Sequence, residues 1–386
     1  MMKKIKKHIM HFICFMECII QNKKIKESEE NSHCLGFVRF DGIGDFILWL
    51  DSVPAIKCIY SEKKCILICS SLIESIAKET GLFDEIISVN IKKYKNLSDF
   101  KYHRDIRKKL GDVRCDILIN PIFSRNSYLN SIVSSIYAKE KITITGDPTC
   151  KFAKENHMTD QLYDRIINVD EKCMEMKRYT DMVHQLGNNN YRSGYYKMPK
   201  ITSSINISDS YFVVQLGTST YEKSWPTDRF ADVSSYLFAQ SGWTCCIVGT
   251  DKQLGENFKK YYKGDLVNLI GKTSLLDLMH VIQGAKLMLG NDSSGVHIAA
   301  FSNVNAVVLA GGWDVGRFLP YDTDNESLNK RICIICKKKD CYLCHGFFTK
   351  DCKQSISKGN ARLCVYEITT EEVKDRLSNY ISKNNA

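Results

Sequence analysis

The sequence predicts an α/β protein made of two successive β–α series, each folding into its own parallel sheet. Three observations predict it. Short apolar runs alternate with stretches of helical periodicity, the pattern of βαβ units. The alternation lapses once, over residues 187–210, where Asn, Ser, Lys and Tyr replace the apolar period. And 386 residues exceed what a single core usually organises, so two domains are expected.

The elements follow in chain order. Residues 1–26 carry seven lysines against one acid, Glu17, around an apolar stretch from His8 to Ile20. That stretch is too short to span a bilayer as a helix. Two histidines and Glu17 spoil it as a secretory signal, and no small-residue cleavage site follows. Two readings stay open: an amphipathic helix lying on an anionic membrane surface, and a basic helix packed on the body of the protein. From Leu35 the runs Leu35–Arg39, Cys65–Cys69, Ile86–Val89, Asp116–Asn120 and Ile142–Thr145 read as strands. Helices such as Phe46–Ile59 and Leu72–Thr80 lie between them. After the linker come strands Tyr211–Leu216, Cys245–Val248, Leu287–Leu289 and Ala306–Ala310, with helices at 227–240, 252–262, 274–283 and 295–301. The tail, 333–364, is rich in Cys and Lys with little period, and an amphipathic helix, Thr369–Ser382, closes the chain. The expected domain plan is therefore a basic extension (1–34), a first α/β domain (35–190), a linker (191–208), a second α/β domain (209–332) and a Cys-rich tail with its closing helix (333–386).

Composition narrows the function classes. Apolar residues are 44% and charged residues 25%, which excludes a disordered chain. No run of about 18 uncharged apolar residues occurs, which excludes a polytopic helical membrane protein. The net charge of +10 suits a partner bearing phosphates or carboxylates: nucleic acid, an anionic membrane or a nucleotide. Seventeen cysteines, an odd number, cannot all pair within the chain. Cys65, Cys69, Cys245 and Cys246 sit singly in apolar runs, where cysteine packs as a small hydrophobe. A reducing cytoplasm is the expectation.

Four stretches could carry chemistry. In FVRFDGIGDFILWL (37–50) a strand ends in a glycine-bearing turn that delivers Asp45 to the start of a helix. Asp45 could cap that helix or face a ligand cleft. A dinucleotide fingerprint would need a third glycine where Ile47 stands. In VVQLGTSTYEKSWPTDRF (213–230) the hydroxyls of Thr218, Ser219 and Thr220 and the ammonium of Lys223 follow a strand, as a pyrophosphate site requires; a solvated surface loop is the plainer account. In GNDSSGVHIAA (290–300) a strand runs into a small polar turn that opens a helix, with Asp292 able to accept sugar hydroxyls and His297 able to reach a phosphate. The upstream Gly271-Lys272-Thr273-Ser274 is no P-loop, because position 266 is Leu where the motif needs Gly. The tail holds Cys333, Cys336, Cys341, Cys344, His345, Cys352 and Cys364; a structural zinc and packed reduced thiols are both open.

Taken together, the first three stretches resemble glycosyltransferase family 9, the ADP-heptose:lipopolysaccharide heptosyltransferase family. The resemblance runs from Leu35 to about Leu377. Phe37–Trp49 looks like the family's opening strand, Gly-Asp turn and helix. Lys223-Ser224-Trp225-Pro226 looks like its Lys-x-Trp-Pro element, and Asn268–Ser274 with Gly290–Ala300 like its NLxGKTS…GNDSGxxH signature. The resemblance implies a GT-B fold, two Rossmann-like domains with parallel sheets facing an interdomain cleft. It also implies inverting sugar transfer from a nucleotide-sugar donor, ADP-heptose or similar, without a required metal or other cofactor. It assigns Asp45 as catalytic base on an N-terminal acceptor domain. It assigns Lys223, Thr218 and Ser219 to the donor phosphates, and Asp292, His297 and the turn residues Ser293 and Ser294 to donor binding, all on a C-terminal donor domain. Asp251 is the best match for the ribose-binding acid. Arg125 and the basic 92–109 region could face an acidic acceptor, a lipopolysaccharide core or other cell-surface glycan. Cys333, Cys336, Cys341 and Cys364 resemble a cysteine-bearing tail in some relatives and are the expected ligands if zinc is present.

The usual D-S-G-P turn reads Asp292-Ser293-Ser294-Gly295, with its glycine displaced by one. The expected setting is cytoplasmic, peripheral to the inner face of the inner membrane. The rivals are a nucleotide-sugar epimerase on the same fold and a basic, zinc-tailed nucleic-acid-binding protein. Against the latter, no helix interleaves dense Arg and Lys with aromatics, so no nucleic-acid partner is expected.

Overall fold

The computed structural model describes residues 2–21, 33–150, 152–207, 210–312, 314–339 and 362–384. The chain divides into two units. The first runs to Glu171 and takes up Arg178–Tyr191; the second takes Lys172–Lys177 and everything from Arg192 onward.

The first unit's sheet contains β1 (Cys34–Arg39), β2 (Lys64–Ser70), β3 (Glu85–Val89), β4 (Arg114–Asn120), β5 (Tyr137–Ile144) and β6 (Arg165–Ile167). The second unit's sheet contains β7 (Tyr211–Gln215), β8 (Thr244–Val248), β9 (Leu266–Asn268), β10 (Leu287–Asn291), β11 (Ala306–Leu309) and β12 (Ile332–Ile335). Every neighbouring pair is parallel. The spatial orders are β3-β2-β1-β4-β5-β6 and β12-β11-β10-β7-β8-β9. Counted from its own first strand, each sheet has the order 3-2-1-4-5-6 of a doubly wound fold. In such a sheet the connections leave the first and fourth strands in opposite directions, which opens a crevice at their carboxyl ends. That places the working edges at β1/β4 and at β7/β10. The central strands are apolar throughout because both faces are covered: Leu35–Arg39, Tyr211–Val214 and all of β10 are buried.

Helices of the first unit are α1 (Met2–Gln21), α2 (Ile43–Leu50), α3 (Val53–Ile59), α4 (Glu74–Glu79), α5 (Ile91–Tyr94), α6 (Phe100–Gly111), α7 (Ser127–Ser135) and α8 (Ala153–Thr159); α9 (Glu175–Leu186) begins in the second unit and ends in the first. The helix expected over Phe46–Ile59 is two helices. Ser52 turns its hydroxyl back onto the Trp49 carbonyl at 2.8 Å, and Pro54, which lacks an amide hydrogen, sits in the first turn of α3 where none is needed. Helix α1 packs on α7 and buries Met10, Cys14 and Cys18 completely.

The second unit adds α10 (Thr227–Ser241), α11 (Lys252–Tyr261), α12 (Leu275–Gln283), α13 (Ser294–Phe301), α14 (Glu326–Lys330), α15 (Leu363–Tyr366) and α16 (Thr370–Asn384). One strand lies where the sequence reads only a cysteine tail. Ile332–Ile335 pairs with β11, Cys333 opposite Val307, so Cys333 belongs to the sheet. Four residues with a cysteine among them are too short a run to read as a strand alone. Val373, Leu377 and Ile381 of α16 enter the second unit's core, and Cys333 and Cys364 pack against it.

Candidate functional site

In the first unit, β1 ends at Arg39 and the chain turns through Asp41 and Gly42 into α2. Gly42 is the N-cap residue, and Asp45, three residues on, accepts its backbone N–H at 3.2 Å through Oδ2. This is half of a capping box, since glycine has no side chain to reciprocate. A Cβ at position 42 would lie 2.8 Å from the same oxygen, which is why the position is glycine. Asp45 therefore caps α2 and also stands at the carboxyl edge of β1; the two readings of this residue are compatible. Arg39 fixes the turn from below. Fully buried, it pairs with Asp41 at 2.8 Å and donates to the Asp45 backbone carbonyl at 2.8 Å, its guanidinium facing the rings of Trp49 and Tyr179. Beside this turn is a small open pocket lined by Phe40, Asp41, Lys95, Ser124, Asn126 and Leu129. Arg125, in the same β4–α7 loop, is fully buried rather than turned to solvent. It bonds Asp160 at 2.7 Å, lies over the Tyr163 ring and fills the space left by Gly146. Its charge holds the loop in shape.

In the second unit, Thr218, Ser219 and Lys223 follow β7. Thr218 bonds the Ser224 hydroxyl at 2.8 Å and the Thr220 carbonyl, which closes the loop on itself, while Ser219 is exposed. Lys223 ends a short turn (Tyr221–Lys223) and reaches Asp314, whose carboxylate it contacts directly. On the neighbouring strand, β10 ends at Asn291, and Asp292, Ser293 and Ser294 lead into α13. His297, in the first turns of α13, is buried. Its Nδ1 is 2.9 Å from the Tyr321 hydroxyl and its Nε2 3.8 Å from Asp292. The Asp292 carboxylate lies beside Asp314. Burial, with the Asp292 carboxylate next to it, pushes the Asp314 carboxyl well above the usual range despite Lys223. Burial and Asp292 push up the Tyr321 phenol as well. Lys223, half-buried, and the buried Asp314, Asp292, His297 and Tyr321 thus form one continuous chain at the β7/β10 edge.

Asp251 lies past the carboxyl end of β8, beside β7, where a doubly wound domain sets its ribose-binding acid. Its side chain caps α11, accepting the Gln253 N–H at 2.9 Å. Of the tail cysteines, Cys333 is in β12, Cys336 just beyond it and Cys364 in α15; Cys341 lies outside the described residues.

The glycosyltransferase family 9 (heptosyltransferase) family model matches residues 105–345. The chain belongs to glycosyltransferase family 9. It is similar to lipooligosaccharide heptosyltransferase 2 of Campylobacter jejuni, 24% identical in a 321-residue alignment that covers 79% of this chain and 92% of that protein. Its fold matches the glycosyl transferase family 9 structure from Veillonella parvula, with a TM-score of 0.68 at 18% identity over 92% of this chain and all of the other. It also matches the E. coli heptosyltransferase WaaC with ADP, at 0.65 and 14% identity, covering 89% and 99% of the two chains.

Several residues of this glycosyltransferase were not found by motif. Asp314 and Tyr321 stand alone in the sequence, 17 and 24 residues beyond His297, with no spacing to mark them. Gln215 and Asn291 are strand-end amides. Gln215 accepts from the Ser293 hydroxyl at 2.9 Å and the Gly295 amide at 3.1 Å. Asn291 accepts the Trp225 N–H at 2.8 Å and donates to the Leu216 carbonyl at 3.2 Å. The displaced glycine has its reason here: a Cβ on residue 295 would lie 2.1 Å from the Gln215 oxygen. The GKTS stretch is a turn and a cap. Gly271 takes φ +69°, and Ser274 and Asp277 form a reciprocal capping box on α12.

Proposed function

We propose that this glycosyltransferase moves a heptose or closely related sugar, with inversion, from a nucleoside-diphosphate sugar such as ADP-heptose to a lipopolysaccharide core or another cell-surface glycan. The observation that carries the reading is the chain of side chains at the β7/β10 edge. It sets an ammonium, a helix N-terminus and a sugar-accepting carboxylate side by side, as a sugar diphosphate requires. Among the similar proteins, a heptosyltransferase solved with ADP and a lipooligosaccharide heptosyltransferase support the same donor class.

The donor is the second unit's task. Lys223 leaves Asp314 for the diphosphate, the Thr218–Ser219 loop and the amides opening α13 hold its oxygens, and Asp292 takes sugar hydroxyls. Asp251 binds the ribose once its cap to Gln253 opens. The acceptor is the first unit's task. Asp45 takes the proton of the attacking hydroxyl while the new glycosidic bond forms at the anomeric carbon. The bond to the diphosphate breaks in the same step, and its electrons stay on the leaving phosphate oxygen. Lys223 and the helix N-terminus neutralise that charge, the work a metal does in other transferases. The reaction belongs at the cytoplasmic face of the inner membrane, where such acceptors are anchored. Zinc on Cys333, Cys336, Cys341 and Cys364 would be structural, because four thiolates leave no open position. Less than about 0.2 zinc per chain after reducing purification would leave packed thiols instead.

A donor panel scored for nucleoside diphosphate release tests the assignment. Asp45→Asn should cut turnover by on the order of 10²–10⁴ with donor affinity nearly intact. Full activity in that variant would leave Asp45 as a helix cap alone.

A further inference from the structure

Helix α1 has two faces of opposite use. Met10, Cys14 and Cys18 point into α7 with no exposure, and Glu17 is bonded to His103, Arg107 and Ser131. The far side is apolar as well. Ile5, Ile9 and Phe12 are 48%, 44% and 61% exposed, and Met2 and Ile20 accompany them. At 3.6 residues per turn these five fall within an arc of roughly 80°, opposite Cys14. They are five of the twelve exposed large hydrophobic side chains among the described residues. Lys4 and Lys6 lie on either side of the stripe, and Lys7 is exposed too.

We propose that this outward face is a lipid-contact surface that seats the first unit on an anionic bilayer. An apolar stripe with lysines on both flanks and no acid of its own outside is the build of an interfacial helix. A second copy of the chain is a poor occupant. A two-fold pairing of these faces would set lysines against lysines, since Glu17, the helix's only acid, is turned inward. The docking face adds what a free amphipathic helix lacks, a fixed orientation. The Tyr128 hydroxyl donates to the Lys7 carbonyl at 3.3 Å, and the Lys95 ammonium sits over the Tyr128 ring. Lys95 in turn lines the pocket beside the Asp41–Asp45 turn. The helix that carries the lipid contact is thereby tied, through Tyr128 and Lys95, to the first unit's working edge. This deepens the reading of a membrane-anchored acceptor and rests on it for its purpose, though not for its measurement.

The test is co-sedimentation of the full chain with vesicles of phosphatidylcholine alone or with phosphatidylglycerol, without donor or acceptor. The wild type should bind only the anionic vesicles and release as salt rises. Ile5→Ser/Ile9→Ser/Phe12→Ser should weaken binding at least about tenfold with an unchanged melting temperature. Lys4→Gln and Lys6→Gln, on the two flanks of the stripe, should each weaken it about fivefold. Equal binding of the triple variant, or equal binding of the wild type to neutral vesicles, would overturn the proposal. So would a dimer in sedimentation velocity that the triple variant abolishes, which would make a second copy the occupant. Inactivity toward every nucleotide sugar would strike the transfer reading and leave the vesicle result standing.

Discussion

Replacing Glu17 with alanine should loosen α1 and cost the first unit about 2–4 kcal/mol. Glu17 is a hub. Its carboxylate takes hydrogen bonds from His103 Nε2 at 3.0 Å and the Ser131 hydroxyl at 2.7 Å, and pairs with Arg107 at 3.0 Å. His103 is 1% exposed and the Arg107 side chain 10%, so the variant strands buried donors with no acceptor. Removing one partner of a buried pair costs about 3–5 kcal/mol, and the 21% exposure of Glu17 moves the expectation toward the lower end. For a unit of this size each kcal/mol shifts the melting temperature by about 2–4 °C, so calorimetry should show a fall of roughly 4–16 °C. Amide exchange should quicken along α1 first. The acid limb carries the same signature. Burial opposes ionisation of Glu17, but the His103 and Ser131 bonds and the Arg107 charge outweigh it and hold the carboxyl below its ordinary value. Its contribution is thus present above the unfolded carboxylate range and lost as pH falls through the folded value. Glu17→Gln should lack that limb. A fall under about 2 °C in Glu17→Ala would refute the reasoning and make the network ornamental to α1 docking.

Three further outcomes follow from the second unit. Lys223→Ala should weaken ADP about 10–100-fold and also slow transfer, read by titration calorimetry and turnover, because a desolvated phosphate contact of this kind is worth about 1.5–3 kcal/mol. The raised Asp314 carboxyl keeps a proton that the unfolded chain releases, so stability should fall as pH rises above the ordinary carboxylate range. Asp314→Asn should flatten that slope in urea titrations, and parallel slopes in the two proteins would count against a proton held on Asp314. Gly295→Ala should drive Gln215 off its two bonds and lower stability by about 1–3 kcal/mol, with weaker ADP binding; an unchanged melt would mean that Gln215 has another place to go.

The sheets were legible because parallel strands buried on both faces leave continuous apolar runs, as Cys245–Val248 and Leu287–Leu289 do. Three short strands were not legible: β6 and β9 offer three residues each and β12 four, and Cys333 drew attention as a ligand rather than as a sheet residue. Asp45, Lys223, Asp292 and His297 stand out as candidates in the sequence because each sits in a motif that resembles the family's. Their partners were found only in space. Asp314 is called to Lys223 by the return of the chain beyond β11, and no local rule encodes that return. Arg125 misled for the opposite reason. An arginine in a polar loop reads as a surface charge until the fold supplies Asp160 and Tyr163 around it.

The exchange of amides between β7 and β10 has a mechanical consequence. Gln215, at the end of one strand, grips the turn that follows the other; Asn291, at the end of the other, grips the loop that follows the first. Neither loop can shift without pulling its neighbour. The pair behaves as a clamped jig whose two jaws are machined on the same block, which fixes the spacing between the Lys223 loop and the opening of α13. Misplacement by about 1 Å can cost a factor of 100 in rate, so tolerance matters as much as chemistry. In this protein the tolerance is set by two uncharged side chains that need not touch the sugar.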